Sequence, residues 1–236
     1  IKVEALKRVY DDIVTEAGVD FTLHTQMVAV DAEDGLVNYV VFAAKSGMFA
    51  VKAKIYIDGT GDGDLCAWAG AEYEKGDENG EMMAGTLCSL WANIDWDRVV
   101  RPDNRRLEEA IKDKIFTYED RHLSGIWRTG KTLGGGNIGH TYDVDGTDER
   151  SLTKSLIWGR KSMTEFERYY REYLDGYEEM ELAATGAILG IRESRRILGD
   201  YVMVLDDFIN RASFDDEIGR YAYPIDIHPS DTSVEG

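Results

Sequence analysis

Cysteine is nearly missing from this 236-residue chain, which has Cys66 and Cys88 and no others. With no CxxC pair and no Cys/His spacing suited to zinc, neither a disulfide framework nor a structural metal is implied. Both thiols are expected to be buried in a reducing compartment. Long apolar runs are also missing. Nothing approaches the ~20 residues that a membrane helix needs, and no charged-then-apolar leader opens the sequence. The expectation is a cytoplasmic protein without a membrane partner. Positive charge is scarce, with 27 Lys and Arg against 45 Asp and Glu and a formal charge of −18. Such an exterior repels a phosphate backbone, so nucleic acid is excluded as a partner. There is no GxSxG, HExxH, Walker loop or Tyr-x-x-x-Lys pair, which removes support for hydrolase and kinase chemistry.

What is present is enough apolar material for a large core, 43% of residues, in recognisable periods. The first residue is Ile1, and the opening segment is an amphipathic helix already under way, so the sequence reads as a piece of a longer chain. Val3, Leu6, Tyr10, Ile13 and Ala17 follow helical spacing with Gly18 as cap, which predicts a helix with one buried face. Strands are expected over 19–31 and 36–44, joined by a hairpin turn at AEDG. A third strand, MFAVKAKIYID, leads as a buried strand into DGTGDGD. Later, TLCSLWANI reads as a strand and DNRRLEEAIKDKIF as a helix capped by Asp103 or Asn104. TLGGGNIGH reads as a flexible or ligand-facing loop, Ser151 to Leu174 as a long helix, and a short helix starts at Asp206 or Asp207. The order suggests a layered α/β domain that is not complete in itself.

The turn DGTGDGDLCAWA places Asp58, Asp62, Gly63 and Asp64 at positions 1, 5, 6 and 7 of a calcium loop. Thr60 and Ala69 then fail positions 3 and 12, and a strand rather than a helix comes before. Its carboxylates would repel a pyrophosphate and suit the hydroxyls of a sugar or ribityl chain. The bland alternative is that Asp62 caps the helix and the glycines only make the bend. Gly134, Gly136 and Gly139 match GxGxxG literally, but the residues that follow are turn-forming, so the context of a nucleotide fingerprint is wrong.

IYIDGTGDGDLCAWAGAEYEKG, VDGTDERSLTKSLIWGRK, GIRESRRILGDYVM and YPIDIH, in this order and over nearly the whole chain, resemble a group of bacterial FAD-dependent oxidoreductases related to the glutathione-reductase-like flavoproteins. The resemblance implies a mixed α/β fold, α+β in its second part. A partial Rossmann-type FAD/NAD(P)-binding domain over 1–75 would be followed over 76–236 by a β-sheet-containing substrate domain that returns toward the flavin. It implies FAD as cofactor, a small-molecule substrate, and a flavin site completed by the remainder of the same polypeptide. Met27 and Val28 would lie against the adenine, Gly59, Thr60, Gly61 and Asp62 beside the dinucleotide, and the IRESRR segment near the flavin ring.

Three cations crowd into IRESRR in an otherwise acidic chain. On a strand, Arg192, Ser194 and Arg196 would share one face, with Glu193 and Arg195 on the other. Arg192 and Arg195 are candidates to bind flavin or a substrate carboxylate, against the alternative of ion pairs with Glu193 or other acidic neighbours. His140 and Tyr142, just after the glycine run, are candidates for proton transfer. His228 lies between prolines in YPIDIHPS, where it would be held rigidly; His24 and His122 carry no distinguishing pattern. The aromatics, among them Trp68, Trp91, Trp96, Tyr169, Tyr170 and Tyr173, read as packing. The leading expectation is a flavin-dependent oxidoreductase, and the alternative is a non-catalytic binding or scaffold module that keeps the fold.

Overall fold

The computed structural model describes residues 3–99, 103–122, 125–220, 222–228 and 230. Helix α1 (Val3–Glu16) ends at Gly18, whose φ of 67° supplies the left-handed cap. A meander follows, with β1 (Gln26–Glu33), β2 (Leu36–Ala44) and β3 (Gly47–Val51) in the order β1-β2-β3. Asp34 and Gly35, at φ 52° and 76°, make the two-residue turn that AEDG announces. Val28 has no partner in the register, because Met27 pairs with Phe42 and Ala29 with Val41. This bulge frees the Val28 backbone from the ladder.

Three expectations for this region need correction. The first strand begins at Gln26 rather than Val19, with His24 in the left-handed region at φ 54° interrupting the extended run. Helix α1 does not bury its apolar face: Val9, Tyr10 and Ile13 are exposed. The run entering the aspartate turn is not a buried strand. Strand β3 stops at Val51, and Ile55 and Ile57 are 77% and 88% exposed. A strand needs a neighbour for its backbone groups, and among the described residues this run has none. Only the Tyr56 hydroxyl ties it back, accepting from Ala53 N at 2.9 Å and donating to Asn38 O at 3.2 Å.

After the turn come α2 (Asp64–Trp68) and β4 (Tyr73–Lys75). Strand β4 pairs antiparallel with β11 (Arg195–Ile197), so the arginine-rich segment returns to the aspartate turn. Between these partners the chain builds its main core. Strands β6 (Ser89–Ala92), β7 (Ile126–Arg128), β8 (Gly134–Gly136) and β10 (Glu181–Thr185) form a sheet in the order β10-β6-β8-β7. A separate pair joins β5 (Gly85–Thr86) to β9 (His140–Thr141). Every strand pairing among the described residues is antiparallel.

The glycine run expected to be a flexible loop is therefore an interior strand. Its lack of side chains is a packing requirement: a Cβ on Gly136 would lie 2.7 Å from Ser89 Oγ and 3.0 Å from Trp91 Nε1. Helix α3 (Asn104–Lys112) is capped by Asp103, which accepts from Arg106 N at 2.8 Å. Helix α4 (Glu149–Tyr173) is capped in the same way by Asp148, through Ser151 N at 2.7 Å. These helices and the sheet enclose Trp91, Leu107, Met163, Phe166, Tyr169 and Tyr170, all buried. Full burial of such a side chain is worth about 1.5–3 kcal/mol. The short α5 (Leu205–Asn210) buries nothing; Asp207 reaches back to accept from Val204 N. Two smaller expectations also change: Cys66 is half-buried and Cys88 exposed rather than both buried, and Trp68 is exposed. No helix among the described residues is long and apolar enough to cross a membrane.

Candidate functional site

Gly139, at φ 82°, passes so close to helix α4 that an added Cβ would lie 2.8 Å from Phe166. This approach delivers His140 from β9 into the interior, where its side chain is 5% exposed. His140 Nδ1 lies 2.7 Å from Asp120 Oδ2, and its Nε2 lies 3.2 Å from His228 Nδ1. Beyond it, His228 Nε2 is 3.4 Å from Asp226 Oδ1. His122 stacks on His140 at 5.6 Å and meets His228 edge-on at 4.9 Å. Its backbone N–H donates to Asp120 Oδ1 at 2.9 Å. The Tyr142 hydroxyl sits 3.4 Å from His140 Nδ1. Three of the chain's four histidines thus converge with two carboxylates.

Electrostatics orders the protons in this cluster. Burial pushes the Asp120 carboxyl up. Hydrogen bonding from His140, the His140 charge, the His122 N–H and Tyr142 outweigh it and hold Asp120 below the usual carboxylate range. Burial lowers His228, and the charges of Arg192 and His140 lower it further. The Asp120 carboxylate is then the acceptor toward His140 Nδ1, 2.7 Å away.

Arg192 borders the same cluster. Its Nη1 donates to Ala84 O and to Thr86 Oγ1, both at 2.7 Å, and Thr86 pairs with His140 across β5 and β9. Burial lowers the guanidinium's pKa, opposed by Asp226, Cys88 and Asp120, so it stays a cation. Its other edge, Nη2 and Nε, has no hydrogen-bond partner among the described residues. Arg195 is engaged elsewhere: Nη1 bonds Asp64 Oδ1 at 2.6 Å and Asp62 O at 3.0 Å. Arg196 pairs with Glu193. The expected strict alternation along IRESRR does not hold, because the strand begins only at Arg195. Adjacent Ser194 and Arg195 both reach the aspartate turn, Ser194 Oγ donating to Asp62 Oδ1 at 2.6 Å.

That turn is braced from within. Asp58 Oδ1 accepts from Thr60 N and Oγ1 at 2.9 and 2.8 Å, and its Oδ2 accepts from Cys66 N at 3.0 Å. Asp58 has no oxygen left over from these bonds; Asp62 has one. Gly59, Thr60 and Gly61 are exposed, and an added Cβ on either glycine would meet nothing within 4 Å. Gly61, at φ 86°, holds a conformation that other residues rarely adopt. Met27 is half-buried beside the bulge at exposed Val28. Among the described residues, no group of three His, Cys, Asp or Glu side chains is arranged to hold a metal ion.

Sequence reasoning singled out His140, Tyr142 and His228 separately, passed over His122, and missed Asp120 altogether. No local pattern joins positions 120, 140 and 228; DRH and HTY are short and common. Comparisons with curated proteins and with solved structures return no match. A family comparison matches residues 1–236, the full length, to FAD dependent oxidoreductases, whose cofactor is FAD. The chain belongs to the FAD dependent oxidoreductase family.

Proposed function

We propose that this chain carries the proton-handling and substrate-facing half of an oxidoreductase that passes a hydride from a small organic substrate to FAD. The observation that carries the reading is the array of buried His140 and His228 between Asp120 and the exposed Asp226, beside the edge of Arg192 that has no hydrogen-bond partner among the described residues. Oxidation of an alcohol or amine carbon releases a hydride and a proton together. His228 takes the proton and relays it toward His140, whose imidazolium the Asp120 carboxylate stabilises. Arg192 offers two N–H groups to an anion, either a substrate carboxylate or the negative charge of a reduced flavin.

The residues near the aspartate turn fit a nucleotide. The exposed Gly59–Gly61 backbone allows close approach, the second Asp62 oxygen suits a ribose or ribityl hydroxyl, and the bulge at Met27 and Val28 offers an apolar and unladdered edge. FAD, when bound, supplies two-electron acceptance. Arg195 acts as the brace of this turn through Asp62 and Asp64. Residues 1–75 form part of a Rossmann-type FAD/NAD(P)-binding domain and 76–236 the substrate domain, with the remainder of the same polypeptide completing the flavin site. The exposed apolar side chains of α1 and of Ile55 and Ile57 support that division, since they await a covering layer.

The test uses the full-length gene product. It is expected to retain FAD by its visible absorption after gel filtration, and Gly61→Val is expected to weaken FAD binding about tenfold or more, as a lost close approach combined with an unfavourable φ implies. A full-length protein that neither retains nor binds added FAD would overturn the reading.

A further inference from the structure

Tyr142 has a second role to play, because it lines an open cleft of about 430 Å³ next to the histidine array. Tyr118, Ile157 and Trp158 complete its apolar wall, and Lys154 and Lys161 stand at its rim. We propose that this cleft is the substrate's ring site and that it takes a planar aromatic carboxylate. The assignment of substrate rests on the oxidoreductase reading; the binding itself does not.

The lining holds three aromatic rings, Tyr118, Tyr142 and Trp158. Tyr118 meets Trp158 edge-to-face at 4.8 Å and Tyr142 at 5.7 Å. Tyr118 and Ile157 are 45% and 62% exposed, so apolar surface at the cleft is open to a ligand. A flat ring entering here gains offset or edge-to-face contacts that a saturated ring of the same size lacks. The volume lies within the range of small-ligand sites.

The charge at the rim is positive, although the chain carries −18. Lys161 lies over the Trp158 ring at 5.8 Å and pairs with no carboxylate among the described residues. Lys154 reaches Asp143 at 3.4 Å, but the two side chains are 74% and 92% exposed, so their pairing is weak and easily exchanged for a ligand anion. The lining carries two ammonium groups against one carboxylate, Asp143, and the net positive charge favours a ring bearing a carboxylate over a neutral or cationic one.

The cleft also touches the groups that hold His140. Trp158 Nε1 donates to His140 O at 3.3 Å, and Tyr142 bonds Asp120 while standing 3.4 Å from His140 Nδ1. A ligand seated against Tyr142 and Trp158 therefore abuts the proton array through its own supports.

Benzoate, benzylammonium and cyclohexanecarboxylate serve as probes in isothermal titration and saturation-transfer NMR with the purified protein. Benzoate is expected to bind in about the millimolar range, as its few heavy atoms allow. It should bind about fivefold or more tightly than benzylammonium, the scale set by exposed charge pairs, and more tightly than cyclohexanecarboxylate. The Lys154→Gln/Lys161→Gln double variant changes only exposed side chains and is expected to keep the melting temperature while losing the preference for benzoate over benzylammonium. Tyr118→Leu should lose the preference for the flat ring. His140→Asn leaves the cleft wall in place and should still bind benzoate, so a failed proton role and a failed ring site give different results. Absence of benzoate binding, equal binding of the ammonium, or a preference that survives the double lysine variant would each overturn the proposal.

Discussion

Replacing Asp120 with asparagine removes one negative charge from the buried array and leaves its shape nearly unchanged. Asp120 accepts from the His122 backbone at 2.9 Å and faces His140 Nδ1 at 2.7 Å, with its side chain only 13% exposed. An asparagine in its place can still accept through one oxygen, but its amide would present N–H groups to the His140 N–H. The loss is that of a charge-assisted hydrogen bond in a buried setting, about 1.5–3 kcal/mol. For a domain of this size each kcal/mol shifts the midpoint by about 2–4 °C, so melting is expected to fall by about 3–12 °C at neutral pH. The pH dependence is the sharper check. Asp120 has a folded pKa below its unfolded value, so its contribution is fully present above the unfolded value, near ~3.9, and is lost as pH falls through the folded one. The gap between wild type and Asp120→Asn, measured by urea unfolding, should shrink as pH falls below about 4. A gap under about 0.5 kcal/mol at neutral pH, or one that persists unchanged into acid, would refute the account of the array.

Other outcomes follow from the same geometry. His140→Asn removes the ring behind the base His228 and should slow flavin reduction in stopped flow by about a hundredfold while FAD absorption is retained, the scale of lost acid–base catalysis; unchanged reduction would remove His140 from the reaction. Gly136→Ala forces a methyl against Ser89 and Trp91 and should cost about 1–3 kcal/mol in thermal melting. Burial raises Tyr169 to about 12 and Tyr170 well above its ordinary value. Their neutral forms are favoured by folding, so this stabilisation is complete below about pH 10 and should decline as pH rises from there toward the folded values, read by ultraviolet phenolate absorption alongside unfolding. Arg195→Met should lower stability by about 1–3 kcal/mol by stranding Asp64 and freeing the Asp62 carbonyl, with calorimetry as the measurement.

Local physics made much of this architecture legible. Periodicity located α1, α3 and α4, Asp103 marked the start of α3, and AEDG marked the hairpin, because each depends on neighbours within a few residues. The errors share one cause, which is dependence on distant partners. Val51 to Asp58 alternates like a strand, yet pairing requires an adjacent strand. Gly134 to Gly136 looks like a loop until Trp91 and Ile126 fill the space where side chains would stand. The site divides in the same way. His140 and Arg192 drew attention through their immediate surroundings, whereas Asp120 and His122 acquire meaning only when the β5–β9 pair and the segment near His228 bring them together.

The hydrogen bond from Ser194 to Asp62 spans 132 residues of chain. At a synthesis rate of about 5–20 residues per second, the aspartate turn would leave the ribosome about 7–26 seconds before its brace exists. During that interval the glycine-rich bend has only its local bonds through Asp58 and Thr60 among the described residues to shape it, while the intervening sheet and helices assemble from nearer contacts. Maturation of the aspartate turn is therefore timed by synthesis of Ser194 and β11, and a pause in translation before codon 194 would prolong its immature state.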